Sequence, residues 1–293
     1  MTRISEFGWR GAAEPGIARI VSAHGDYYHL VCNEAEGEII ARKKKSAFSK
    51  RIGSVQESGG LRRVSRSEVG EESLKPITGD FVRFRYNAQG ESMITEILPR
   101  FSRFERKDPT ARRKSQTLAV NFDTLFIMMS LNENFSTARI DRYLDLASEI
   151  GEAEVVVVIT KMDLREEGDE EFLDELAETV AGRARILHIS VLTGEGMDSV
   201  AEYVKPRKTL AFIGSSGVGK STLVNALAGE EWMPTQDIQE WSGKGRHTTT
   251  SRELVMLPSG AMVIDTPGIR EIGRIGEEEE QLAKGESSHR YRK

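Results

Sequence analysis

The chain has 293 residues, 38% of them hydrophobic, which is enough for one large domain or two ordinary ones; no apolar run reaches the length of a membrane helix. Its single cysteine, Cys32, excludes an internal disulfide and a cysteine-rich zinc site, and with no basic start leading into an apolar stretch no secretory signal is expected. The net charge of -5 hides an asymmetry: residues 1–115 hold 22 Lys and Arg against 15 Asp and Glu, and the rest hold 19 against 31, so the front half either faces a polyanionic partner or presents an ordinary solvated face.

Residues 1–100 read as short strands between turns. Gly16–Val21 and Tyr27–Cys32 flank the Gly25-Asp26 turn, and Glu38–Arg42, Asp80–Tyr86 and Ser92–Leu98 follow. Alternation puts Phe81 on the opposite face from Val82 and Phe84. About five strands in this length predict a small all-β barrel of the OB kind. Residues 43–75, rich in Lys, Arg, Ser, Glu and Gly, read as a long mobile loop or insertion, and 101–117 as a basic linker.

From about 118 the pattern changes to apolar runs alternating with helical stretches. Thr124–Met129, Val155–Ile159, Ile186–Ile189, Thr209–Ile213, Arg252–Leu257 and Ala261–Ile264 are the strands; Arg139–Ile150 and 168–181 are helical. Continuous apolar strands with helices between them predict an α/β sheet covered on both faces over 118–275, with a short helical tail at 276–293.

The run Gly214-Ser215-Ser216-Gly217-Val218-Gly219-Lys220-Ser221 follows the strand Thr209–Ile213 directly and opens the helical stretch from Thr222. Its glycines let backbone N–H groups converge on phosphate oxygens at a helix N-terminus. Lys220 is placed to reach the β- and γ-phosphates and the Ser221 hydroxyl to ligate Mg²⁺. Thr160-Lys161-Met162-Asp163 closes the strand Val155–Ile159 and resembles the Asn-Lys-x-Asp motif of GTPases, with Thr160 in place of Asn. Asp163 can accept hydrogen bonds from guanine N1–H and its exocyclic amine, a donor pair adenine lacks, and the Lys161 stem can cover the base. Ser190-Val191 follows another strand and resembles the Ser-Ala-x loop that supports the base through backbone groups. Asp265-Thr266-Pro267-Gly268 is an Asp-x-x-Gly element, with Asp265 placed to hold Mg²⁺ through water and the Gly268 N–H to sense the γ-phosphate. Gly243–Thr250 lies between the phosphate motifs as a first switch, with Thr249 the chosen Mg²⁺ ligand and either neighbouring Thr an alternative.

The base motifs at 160 and 190 precede the phosphate loop at 214, the reverse of the ordinary order. A circular permutation of the same sheet accounts for this. That order, behind an OB-like barrel and with the specific run Gly245-Arg246-His247-Thr248-Thr249-Thr250, resembles the RsgA (YjeQ) family of circularly permuted, ribosome small-subunit-dependent GTPases. The match extends through Gln116, Asn121, Asp123 and Phe135–Leu144. The resemblance implies GTP and GDP as ligands, Mg²⁺, GTP hydrolysis stimulated by the small (30S) ribosomal subunit late in its maturation, 16S rRNA contacts from the barrel, and a cytoplasmic location, which the single cysteine also fits. A monomer without DNA or membrane contacts is expected. The family carries a C-terminal zinc domain, but Gly276–Glu280 runs straight into Gln281–Glu286 here, so no zinc is expected from these residues and His289 reads as a tail residue.

Ile269 stands where many GTPases place the Gln that orients the attacking water, and it cannot hydrogen-bond water. His247 or the ribosomal partner is expected to complete hydrolysis; the alternative for His247 is a structural or exposed side chain. Arg42-Lys43-Lys44-Lys45, Lys50-Arg51, Arg62-Arg63 and Arg83/Arg85, with Phe81 and Tyr86 nearby, are the candidate RNA-contacting groups of the barrel. A P-loop ATPase would account for Lys220 and Ser221 but not for the base motifs, and a GTP-sensing scaffold without turnover is a third class.

Overall fold

A computed structural model describes residues 3–44, 54–57, 60–63, 75–106, 116–131, 135–230 and 253–265, with backbone alone over 54–57 and 60–63 and at Arg106 and Asp265. After a short helix α1 (Arg3–Glu6), the first half consists of strands β1 (Ile17–His24), β2 (Tyr27–Cys32), β3 (Ile39–Lys43), β4 (Ser54–Glu57), β5 (Gly60–Arg63), β6 (Phe81–Arg85) and β7 (Ser92–Ile97). Strands β1, β2, β3, β7 and β6 pair in that order and β6 closes back on β1, with β3–β7 the one parallel pair. This closed five-stranded barrel is the expected one. Its interior is filled by Ala18, Ile20, Tyr28, Leu30, Ala41, Val82, Phe84 and Ile94, with Cys32 buried among them.

Two expectations need correction. The stretch 43–75 holds a ribbon, since β4 and β5 pair antiparallel. The stretch 101–117 is more than a linker: β8 (Arg103–Arg106) pairs with β9 (Gln116–Val120) within and beyond it.

The second half contains β10 (Thr124–Ser130), α2 (Thr137–Leu146), β11 (Glu154–Thr160), α3 (Asp169–Val180), β12 (Arg185–His188), α4 (Met197–Ala201), β13 (Thr209–Ile213), α5 (Lys220–Ala228), β14 (Glu253–Met256) and β15 (Met262–Asp265). The sheet runs β12-β11-β10-β13-β15-β14, parallel except for the β14–β15 hairpin. Alternate strand residues feed opposite cores, as the pleat requires. Leu125, Ile127, Val157, Ile159 and Ile213 pack against Ile140 and Leu144 of α2 and Leu176 and Val180 of α3. Phe126, Met128, Val156, Val158 and Phe212 pack against Val200 of α4 and Leu223 and Val224 of α5. Helix α2 starts where Ser136 Oγ accepts from the Arg139 N–H at 3.3 Å, an N-cap that satisfies one of the first-turn donors.

The two halves share one sheet. Strand β1 of the barrel also pairs antiparallel with β14, with Ser22 opposite Glu253. Polar groups are buried along the seam beside the apolar contacts. Arg19 on β1, 1% exposed, donates to Phe7 O at 2.6 Å, Asn121 O at 2.8 Å and Thr209 Oγ1 at 3.0 Å, and its guanidinium lies 4.8 Å from the centre of the Phe81 ring. Burial pulls its guanidinium down to about 9, against the opposing pull of Asp123 and Asp80, so it stays charged at neutral pH. Asp123 accepts from Lys208 Nζ at 2.9 Å, the Thr209 N–H at 2.9 Å and Arg10 at 2.8 Å. Burial alone would raise this carboxyl; the hydrogen bonds from Lys208 and Thr209 outweigh it and hold the group below its usual range. Arg100 donates to both carboxylate oxygens of Asp80, from Nε at 2.7 Å and Nη2 at 2.8 Å.

Candidate nucleotide site

The parallel strands β10, β11, β12, β13 and β15 end on one edge of the sheet, where ligands of open α/β sheets bind. Thr160 is the last residue of β11, Ser190 stands two residues beyond β12, Gly214 follows β13 and Asp265 ends β15. Motifs far apart in the sequence therefore converge because β11 and β13 both flank β10.

The phosphate loop has the backbone its glycines were read to allow. Gly214, Gly217 and Gly219 have φ of 154°, 74° and 90°. Gly214 also lacks room for a side chain, since a Cβ there would sit 2.5 Å from Met128 O on the neighbouring strand. Glycine is required on both counts. Helix α5 begins at Lys220 and is closed at its far end by Gly229, whose N–H reaches Asn225 O. Lys220 Nζ donates to Gly214 O at 2.6 Å and Ser215 O at 2.7 Å, so the ammonium is held against the loop's own carbonyls. Ser215 and Val218 are buried, Ser216, Gly217 and Thr222 are exposed, and Ser221 is half-buried.

Thr160, in the place of the motif's Asn, is buried. Its hydroxyl donates to Val218 O in the phosphate loop at 2.6 Å, with Met129 O at 3.3 Å. The base motif is thereby fastened to the phosphate loop by a buried hydrogen bond. Lys161 then takes a left-handed conformation, φ 61°, which turns the chain out of β11 and leads into the 3₁₀ turn Met162–Leu164.

Ser190 does more than lend backbone groups. Its Oγ donates to Asp163 Oδ1 at 2.5 Å and accepts from the Thr193 N–H at 3.2 Å. Main-chain bonds Met162 N to Ile189 O at 3.1 Å and Ser190 N to Glu195 O at 3.0 Å join the two loops and close the second. A carboxylate oriented in this way offers its remaining acceptor capacity to a donor pair. Val191 is half-buried behind this loop, while its neighbour Leu192 is among the most exposed large apolar residues, at 84%. The hydroxyl role of Ser190 is not legible in the sequence, which identifies the loop but not the side chain's direction.

Strand β15 brings its last residue, Asp265, beside β13, with Ala211 opposite Ile264. His247, Thr249, Gly268 and Ile269 lie outside the described residues, as does the tail 276–293 with His289. Of the basic barrel residues, Arg42 pairs with Glu91 at 2.6 Å and lies over the Tyr27 ring, and Arg83 reaches Glu14 and Glu96 at 3.8 Å. Lys45, Lys50 and Arg51 lie outside the described residues, and Arg62 and Arg63 are placed on β5 by backbone alone. Phe81 is corrected as a candidate stacking ring: it is buried beneath Trp9, 5.1 Å between ring centres, because the N-terminal segment covers that face of β6. Tyr86 remains exposed.

The fold and the site are those of a P-loop protein of the GTPase kind whose sheet is assembled in permuted chain order. A model of the RsgA GTPase family matches residues 97–275, and the chain belongs to that family. It is 37% identical over 265 residues to "Small ribosomal subunit biogenesis GTPase RsgA" of Leptospira interrogans, covering 90% of this chain and 66% of that protein. It is 38% identical to "Small ribosomal subunit biogenesis GTPase RsgA 2" of Lactiplantibacillus plantarum, covering 87% and 66%. The chain thus spans about two thirds of the length of these relatives. Among solved structures, YjeQ from Thermotoga maritima aligns with TM-score 0.59 at 26% identity, covering 86% of this chain and 74% of that one. YloQ, described as a circularly permuted GTPase, aligns with TM-score 0.51 at 23% identity over 88% and 73% of the two chains, a likeness of fold. Among the described residues no helix is long and apolar enough to cross a membrane.

Proposed function

We propose that the chain binds GTP with Mg²⁺ and hydrolyses it to GDP and phosphate in the biogenesis of the small ribosomal subunit. The observation that carries this reading is the pairing of a phosphate loop with a guanine-reading carboxylate: Thr160 is bonded to Val218 and Asp163 is held by Ser190. An adenine-specific site has no use for that carboxylate. The matched relatives are named for small-subunit biogenesis, which supports the choice of partner.

Backbone N–H groups of Gly214–Thr222, with Val191 and Lys161 at the base, form the binding surface; Lys220 leaves its carbonyl partners for the β- and γ-phosphates. Mg²⁺ fits the donor set, which consists of hard oxygens: the Ser221 hydroxyl at the start of α5, Asp265 on the adjacent strand, and Thr249 from the segment between them. When bound, the ion would offset the negative charge of the phosphates. The Gly268 N–H senses the γ-phosphate, and Thr249 follows it from the first switch as a ligand of Mg²⁺. Because Ile269 cannot orient water, His247 or the subunit supplies that group. The barrel contributes contacts to 16S rRNA in the 30S particle through its basic residues, and the protein acts as a cytoplasmic monomer.

Multiple-turnover hydrolysis of GTP and ATP, with and without purified small subunits, tests the reading. GTP turnover well above that of ATP and stimulated by subunits is expected. Equal binding of both nucleotides, or tight GTP binding with no turnover under any condition, would replace the reading with an ATPase or a non-hydrolysing scaffold. A His247→Ala protein with undiminished subunit-stimulated turnover would assign the missing group to the subunit.

A further inference from the structure

Strand β14 is the outer strand of the nucleotide-binding half of the sheet, and it lies between the two segments read as γ-phosphate sensors. Its first residue, Glu253, comes four positions after Thr249. Glu253 also stands opposite Asp265, the residue that opens Asp-x-x-Gly. Movement imposed on either segment therefore acts on the same end of the β14–β15 hairpin. The free edge of β14 is covered by barrel strand β1, whose Ser22 pairs with Glu253 at that level.

Three residues earlier, across an irregularity in the register at Val21, β1 is pinned at the opposite end of the sheet. There Arg19 reaches Thr209 and Met262, the first residues of β13 and β15, and Asn121 just before β10. Strand β1 is thus fixed at one end to the strand that carries the phosphate loop. At its other end it is hydrogen-bonded to the strand between the sensors. Val21 and Val31 of the barrel sit in the same core as Leu254, Met262 and Ile264, so β1 cannot slide without repacking.

We propose that Arg19 is a positioning residue, the fulcrum about which β1 converts a nucleotide-dependent shift of β14 into a tilt of the barrel. The inference rests on the nucleotide-binding reading above and adds the route by which nucleotide state reaches the barrel. A planar fork with several fixed donors suits that task; a lysine keeps the charge and loses the fork. Coupling of this kind is reciprocal, so whatever tilts the barrel also biases the nucleotide site.

Hydrogen exchange of the full chain tests it, comparing GDP–Mg²⁺ with a non-hydrolysable GTP analogue and Mg²⁺. Peptides covering 253–257 and 17–32 are each expected to exchange several-fold differently in the two states. In Arg19→Lys the difference at 253–257 should persist while that at 17–32 disappears. Should Arg19→Lys fail to fold, Thr209→Val removes one of the fulcrum's acceptors at nearly constant shape and is expected to shrink the 17–32 difference. A purely structural latch would lower stability in these variants but leave the 17–32 response intact, which overturns the proposal, as does equal exchange of 17–32 in both states of the unaltered protein. Absence of nucleotide protection over 214–222 would instead overturn the nucleotide-binding reading and the inference with it.

Discussion

Thr160 carries the most information of any single residue. A threonine stands in place of the motif's asparagine, and its shorter side chain makes the bond to Val218 O because β11 and the phosphate loop approach closely. Thr160→Val keeps the shape and leaves that buried carbonyl unpaired, at a cost of about 1–2 kcal/mol. GTP affinity should fall roughly 5–30-fold with the preference over ATP unchanged, as measured by competitive titration. Asp163→Asn acts on the preference itself. On the proposed reading it removes the acceptor of the guanine amine, so GTP affinity should drop on the order of 100-fold or more. A base with a carbonyl in place of that amine should gain in comparison. Retained GTP selectivity in Asp163→Asn would mean that the base is read elsewhere. Both residues were identified from their place at a strand's end. The direction of the Ser190 hydroxyl was not, because side-chain rotamers in a turn depend on neighbours that the sequence does not place.

Elements were largely legible where periodicity is strong. The barrel strands and the apolar strands β10, β11 and β13 lie where alternation and apolar runs put them, and α3 follows its charged amphipathic stretch. Short strands in polar sequence escaped: β4, β5 and β8 depend on pairing partners more than on their own composition. The seam between the halves escaped for the same reason, although Asp123 was marked by resemblance. Its carboxyl lies below its unfolded value, so it contributes stability that is complete above about pH 4 and lost as pH falls through the folded value. In thermal melts across pH 3–7, the unaltered protein should therefore lose stability on acidification more steeply than Asp123→Asn. Parallel slopes would show that the Lys208 and Thr209 contacts do not bias its protonation.

For the molecule as a whole, the charge asymmetry divides along the fold: the basic front half holds the barrel and the acidic remainder the nucleotide half. Two barrel arginines, Arg42 and Arg83, are engaged with Glu91 and with Glu14 and Glu96, so local pairing offsets part of the excess. RNA binding by the barrel should still be governed by phosphate contacts. With roughly four phosphates held on single-stranded RNA, affinity should fall on the order of 10²–10³-fold over a tenfold rise in salt. A flat salt dependence in filter-binding or anisotropy titrations would indicate a protein-only contact.

By itself the sequence determined the chemistry of the ligand and the kind of fold. Glycines, Lys220, Asp163 and Asp265 support the proposed phosphate and guanine contacts through residue type and spacing, and their order along the chain declares the permutation. Only the tertiary structure decided how the parts are joined. That Thr160 bonds to the phosphate loop, that Ser190 orients Asp163, and that Arg19 carries the barrel into the nucleotide-binding sheet all depend on contacts between residues 27–190 positions apart. Such contacts follow from the closing of a sheet around a shared core, which no local pattern encodes.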